Sequence, residues 1–289
     1  MTTHRLRAGL FRFVPLVAIL IAGSSPPMSF HTGSAKPRET SPLISGPVPG
    51  LTLKYVVRWD GIAAGHATFS FEKSTLDGKD RLHFKAAATS NSMVSMFYKV
   101  SDLIETYLDD QGVPLRFEKH LREGKRIKDE VIAFDRDKNR AIYFDTRGET
   151  PKILCDMETP ADSQDPLSAI LFLAKGPLSK NEPARMTVNT DRRNWDLSFE
   201  LVREERLDLR NIGEMDTLVL KPKAEFDGIL LDKAKNVMLW VDRHSRLPVL
   251  VEIDIPIGSV TITLWKIDDP VFGPTPPPKK ETPPQRRTP

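Results

Sequence analysis

Carboxylates are the most plentiful chemically able side chains in this sequence. Asp102 and Glu105 within VSDLIETYLD, together with Asp242 close behind Trp240, are the ones whose setting most suggests acid–base work. Two carboxyl groups facing each other across a cleft can divide the acid and base roles of glycoside hydrolysis. With 39 acidic residues in the chain, some pair will meet that separation by chance, and no spacing selects one pair over another. A hydrolase of envelope glycan is therefore kept only as an alternative reading. Ser168 opens an apolar segment but lacks the flanking glycines that let a serine project from a strained turn. Cys155 is the single cysteine, which excludes an internal disulfide and any site built on several thiolates; it reads as a small packed side chain.

The histidines His4, His31, His66, His83, His120 and His244 are scattered singly, without the paired spacing of a zinc site. His66 and His83 fall on the polar faces of alternating runs and are expected to be solvated. No glycine-rich phosphate loop or dinucleotide fingerprint is present. No catalytic, cofactor-binding or metal set is assigned, and no cofactor is expected.

The elements that must position these residues are mostly strands. KYVVRWD places Tyr55, Val57 and Trp59 on one face, and HATFSFEK places Ala67, Phe69 and Phe71 on one face. GIAAG between them supplies glycines for a turn or bulge, and Asp77-Gly78 marks the next turn before RLHFKAAA. The alternation continues through EVIAFD, NRAIYFD, WDLSFELV, DTLVLKPK, NVMLWVD, PVLVEIDI and GSVTITLW, giving about a dozen strands. So many strands in one flat sheet would leave long edges exposed, so an all-β antiparallel sheet curled into a half-barrel or incomplete barrel is expected.

Two segments break the alternation. NSMVSMFYKVSD sets Met93, Met96, Phe97 and Val100 at helical spacing. In DPLSAILFLAKG, Asp165 suits an N-cap, Pro166 the first helical position and Gly176 a left-handed stop. Its apolar residues run nearly all round, which predicts a helix buried on more than one side, against the concave face of the sheet. Near Asp242, the turn before Pro248 is expected to be held by amide bonds to the aspartate and by Arg246 pairing with it.

Compartment is read from the ends. Residues 1–25 carry arginines, then an apolar run from Phe13 to Ala22, then small residues, the order of a secretory signal. Removal of that segment would leave no integral membrane span; its retention as an anchor is the alternative. Residues 26–49 read as a disordered linker, 50–268 as a single β-rich domain, and 269–289 as a proline-rich disordered tail. The net charge of +3 arises from 42 basic against 39 acidic residues, with no basic stripe in the central region, so nucleic acid is a poor partner. A periplasmic or secreted location follows.

YVVRWDGIAAGHATF, YKVSDLIETYLDDQGVPLRFEK, DPLSAILFLAKGPL and VMLWVDRHSRLPVLVEIDIPIGSVTITL occur here in that order. The sequence from Leu51 to Leu264 thereby resembles the exported bacterial family catalogued as domain of unknown function 3108. The carriers are Trp59 with Gly61 and Gly65, Asp109 with Pro114 and Phe117, Asp165 to Ser168, and Trp240 with Asp242, Pro248, Gly258 and Ser259. The resemblance implies export and a β-rich fold, and brings no activity or functional residues. Trp240, Asp242 and Pro248 of the last hairpins are also similar, locally, to half-barrel lipoprotein carriers.

These readings converge on a non-catalytic exported binding or scaffold protein of the envelope, with an apolar, lipid-like or lipoprotein ligand. Met96, Leu171 and Phe172 are the candidate ligand contacts, expected together near the opening of the hollow. The alternative from another class is a structural partner module that uses an edge strand and the proline-rich tail to join an envelope protein assembly.

Overall fold

The computed structural model describes residues 44–175, 178–180, 182–224, 236–256 and 258–274. The signal segment, most of the linker, Gly176 and most of the proline-rich tail lie outside the described residues. Ile44 is only 1% exposed and sits in the core, so the domain takes in chain that composition assigned to the linker.

The first meander comprises β1 (Thr52–Trp59), β2 (Ile62–Leu76), β3 (Lys79–Ser90), β4 (Ser101–Leu108), β5 (Pro114–Glu123), β6 (Arg126–Asp135), β7 (Arg140–Asp145) and β8 (Lys152–Glu158). A one-turn helix, α1 (Ser92–Ser95), interrupts it between β3 and β4. The helix α2 (Ser168–Lys175) then leads to a second meander of β9 (Ala184–Thr190), β10 (Arg193–Leu209), β11 (Gly213–Ala224), β12 (Asn236–Asp242), β13 (Pro248–Asp254) and β14 (Ser259–Asp269), with the short β15 (Gly273–Pro274) pairing β14. Every ladder between these strands is antiparallel, and the two meanders are joined where β1 pairs β14.

The sheet runs from β8 through β1 and β14 to β9 and is not closed by a ladder between its two outermost strands. Side chains bridge the gap instead. Tyr143 on β7 donates its hydroxyl to Asn189 Oδ1 on β9 at 2.6 Å, and Thr159, just past β8, donates to Asn194 Oδ1 on β10 at 2.8 Å. Gln164, ahead of α2, makes a parallel bridge to Val188. The result is an incomplete barrel with a side-chain seam, and the antiparallel curled sheet read from the sequence is the architecture observed.

Alternation decides which residues face the hollow. Tyr55, Phe69, Phe71 and Phe84 point inward and pack ring to ring, with Tyr55–Phe69 and Phe69–Phe84 edge-on at 5.1 Å and Phe71–Phe84 stacked at 4.4 Å. Asp77 and Gly78 both take positive φ, as a two-residue hairpin turn requires. Gly65 marks a different need. It lies at the register shift between Val57 and Arg58, and a Cβ there would sit 2.2 Å from the Thr89 carbonyl oxygen.

The α2 segment lies inside this curl. Leu167, Ala169, Ile170, Leu171 and Leu173 are all buried and belong to the same apolar core as the inner faces of both meanders. Asp165 caps the entry as expected, with Oδ1 accepting from the amides of Leu167 at 2.7 Å and Ser168 at 2.9 Å. Ser168 Oγ accepts in turn from the Asp165 amide at 2.8 Å. The reciprocal pair satisfies donors that a buried helix start would otherwise leave unpaired.

Candidate functional site

The inner face near the seam carries an ionic group that interrupts the apolar rows. Lys119 occupies an inward position of β5 between Phe117 and Leu121, and Glu130 an inward position of β6 two residues before Ile132. Glu130 is 1% exposed and is faced by Lys128 Nζ at 3.1 Å, Lys119 Nζ at 3.6 Å and an Arg192 Nη at 3.8 Å. Lys119 also reaches Thr190, the last residue of β9, and Asp191 in the turn after it, both at 3.0 Å. Lys119, and then Lys128, hold the Asp191 carboxyl well below its usual range against the opposing effect of burial. Chemically this group ties the β9–β10 hairpin to β5 and β6, with its cations already engaged by carboxylates.

The entry to α2 is tied just as firmly. Asp165 Oδ2 accepts from the Thr106 hydroxyl of β4 at 2.5 Å. Burial pushes this carboxyl up to about 6, with bonds from Thr106, Ser168 and Leu167 pulling in the other direction. Arg136 donates to the carbonyls of Pro114 and Ser163 and to the Ser163 hydroxyl, and lies 4.2 Å over the Phe134 ring, strapping the loop before α2 to β5. At the far end of the helix, the Lys175 ammonium bonds the Gln111 carbonyl in the β4–β5 turn.

The expected ligand contacts do not share one opening. Leu171 is 3% exposed within the core and Phe172 is half-buried against it. Met96 follows α1 and is 75% exposed. α1 lies at the Ser101 end of β4, whereas the α2 segment contacts Thr106 and Gln111 toward and beyond its other end. An eight-residue strand separates its ends by roughly 25 Å.

Around Met96 the structure gathers something the sequence reading did not assemble. Asn91 caps α1 through a bond from the Val94 amide and donates its side-chain nitrogen to the Ala63 carbonyl, holding α1 against the start of β2. Ile62, Met93, Met96 and Phe97 project there with exposures of 62%, 48%, 75% and 76%. On the adjoining β5–β6 turn, Gly124 bonds the Lys99 carbonyl and lies against the Tyr98 ring. That contact brings the exposed Lys99 and Lys125, Arg126 paired with Glu123 Oε2 at 3.0 Å, and Ile127 at 56% exposure beside the apolar cluster. The tip of the molecule is thus apolar with a basic border.

Several residues singled out from sequence play other parts. Asp102 and Glu105 are three positions apart on β4 and so point to opposite faces; they do not converge on a cleft. Asp102 faces inward, and burial raises its carboxyl to about 6. Asp242 accepts from the amides of His244 and Ser245 and from the Ser245 hydroxyl, as a turn-forming aspartate should. Arg246 makes no side-chain bond to it: its amide donates to the Asp242 carbonyl at 2.9 Å and its Nε to the Arg243 carbonyl, with the residue at a positive φ of 58°. Cys155 is half-buried against the core, while Ser168 serves the helix cap. His66 is exposed as expected. His83 is not: it is 4% exposed, stacked on Tyr107 at 4.0 Å with Glu105 beside it.

Sequence comparison places this architecture among known proteins. Residues 54–264 match the family described as protein of unknown function, DUF3108. The chain belongs to that family. No curated protein matches the sequence. Among solved structures, the chain is similar to the crystal structure of a beta-barrel-like protein of domain of unknown function DUF1849 from Brucella abortus. That likeness has a TM-score of 0.51 and 12% identity, covering 78% of this chain and 99% of that one. A protein of Parabacteroides distasonis provisionally named as a lipoprotein aligns with a TM-score of 0.35 and 10% identity, over 77% of this chain and 97% of that one. The first likeness supports the incomplete-barrel fold of the family member described here. Among the described residues, no helix is long and apolar enough to cross a membrane.

Proposed function

We propose that this family member is an exported, non-catalytic binding protein of the bacterial envelope, periplasmic or secreted, that engages acyl chains of a lipid or lipoprotein through its apolar tip. The observation that carries the reading is the cluster of Ile62, Met93, Met96 and Phe97 held in the open beside Lys99 and Lys125. Apolar side chains bordered by cations suit a ligand with an acyl body and an anionic head. Methionine adds adaptability to such a surface. In this reading Met96 is a direct contact, whereas Leu171 and Phe172 belong to the filler of the hollow and would meet a ligand only if α2 swung out. The N-terminal signal pattern supports export.

The test uses the chain from residue 26 onward, so that the apolar N-terminal run does not contribute, with co-sedimentation on phosphatidylglycerol-containing and on neutral phosphatidylcholine vesicles. Binding to the anionic vesicles is expected, weakened at least about tenfold by a Met96→Glu, Phe97→Glu double variant that melts like the parent. Equal binding by parent and variant, or none by the parent together with no acyl species in native mass spectrometry, would overturn the proposal.

A partner-module reading retains one supporting observation. Ile153 and Leu154 of the outermost strand β8 are 67% and 41% exposed, a surface on which an envelope protein could add a strand.

A further inference from the structure

The outer face of β3 to β6 carries a second cluster, built from residues far apart in sequence. Glu105 on β4 lies directly opposite Glu118 on β5 in the ladder. Like charges facing each other across strands repel, and Arg116 beside Glu118 and His83 beside Glu105 offset part of that repulsion. His120 is two residues along β5, on the same face as Glu118, and its Nε2 lies 3.4 Å from Glu118 Oε2. One donor atom from each of Glu105, Glu118 and His120 lies within 4.8 Å of the others.

Each member has a partner behind it. The other ring nitrogen of His120, Nδ1, is 2.9 Å from Asp129 Oδ1, and Asp129 also accepts from Arg122 at 2.8 and 3.0 Å. Burial raises the Asp129 carboxyl, but the bonds from His120 and Arg122 outweigh it and keep the group below its usual range. A carboxylate accepting from Nδ1–H leaves Nε2 facing Glu118, free to give a metal its lone pair once its own proton is released, the arrangement that orients histidine toward metals. Arg116 Nε takes Glu118 Oε1 at 2.6 Å, which fixes this carboxylate with Oε2 toward His120. Behind Glu105 stands the buried His83, whose Nε2 pairs with Glu105 Oε1 at 3.2 Å.

We propose that Glu105, Glu118 and His120 bind a divalent transition-metal ion of the zinc class on the outer face of the β4–β5 pair, with Asp129 orienting His120 and His83 backing Glu105. Metal–donor bonds of about 2.0–2.2 Å in tetrahedral geometry set donor atoms roughly 3.4 Å apart. The His120–Glu118 separation already meets that spacing, and Glu105 can close the rest by side-chain rotation. One imidazole and two carboxylates suit zinc, nickel or copper(II) better than calcium or magnesium. Three protein donors leave a coordination position for water or a group from a partner. The ion would neutralise the facing glutamates and clamp β4 to β5.

The experiment is calorimetric titration of the untagged, chelator-treated full chain with zinc chloride, repeated with cobalt(II) while the visible absorption of its d–d bands is followed. One ion per chain is expected, with protein donors registering in the cobalt spectrum. His120→Ala and Glu105→Gln should each weaken binding at least about tenfold, and Asp129→Asn about tenfold to a hundredfold with unchanged stoichiometry. Thermal melts without metal identify any variant that fails to fold, and Glu105→Gln, which keeps the side-chain shape, then carries the decision. Absence of binding at zinc concentrations on the order of 100 µM, or binding indifferent to both Glu105→Gln and His120→Ala, overturns the site.

Discussion

Asp165 shows how much one side chain can be asked to do in this protein. Its carboxyl starts α2, holds Thr106 of β4 and is fully buried. Burial raises its folded-state pKa from 3.8 to about 6, so the folded protein retains a proton that the unfolded chain releases between those values. Its contribution to stability is therefore complete below about pH 4 and is withdrawn as the pH rises through about 6. Asp165→Asn keeps an acceptor for the helix amides but carries no charge. Urea unfolding at pH 4 and pH 7 should show the variant gaining on the parent by on the order of 2–3 kcal/mol across that interval, and an unchanged difference would refute the account. The cap itself was legible, since aspartate before proline at the start of an apolar run has few other uses. The inward charges were legible only as exceptions: Lys119 breaks the Phe117, Leu121 row, and Glu130 the row leading to Ile132 and Phe134. His83 and His120 could not be brought together by spacing, because what joins them is the lateral pairing of β3, β4 and β5.

Among the elements, α2 is where sequence pattern and structure agree most closely. An apolar surface running all round a short segment has to be buried on several sides, and the curled sheet supplies those sides. Leu171→Ala should cost about 2–5 kcal/mol in denaturant melts, because the leucine is buried within the common core. Phe172→Ala should cost less, in line with its half-buried position. Near-zero losses in both would mean that α2 is a loose lid. The other expected helix shrank to a single turn. Asn91 and the Ala63 carbonyl hold α1 in place, and Met96 and Phe97 that follow it find no core to enter. Helical spacing of apolar residues was there a poor guide, because it reports a common face and not whether anything covers it. The strands were readable from alternation, but the seam was not: it depends on Tyr143 meeting Asn189 across an edge that carries no ladder.

For the whole molecule, the decisive contact is the ladder between β1 and β14, which pairs Trp59 with Val260 and Thr52 with Asp268. It makes one sheet of two meanders, and it joins positions from opposite ends of the domain. Removing β14 by ending the chain at Asp254 should abolish the cooperative urea transition, since β1 and β13 both lose a neighbour. A chain of residues 44–274, which keeps every described strand, should unfold at the midpoint of the full chain. Retention of a cooperative transition after loss of β14 would mean that the first meander folds alone. The same pairing has a consequence for the order of events in a cell. Whichever terminus is delivered first, its strand waits for a partner at the other end, so the finished sheet cannot form on a partly delivered chain. The β1–β14 ladder is thus the last pairing the chain can make, and with it the two meanders become one sheet.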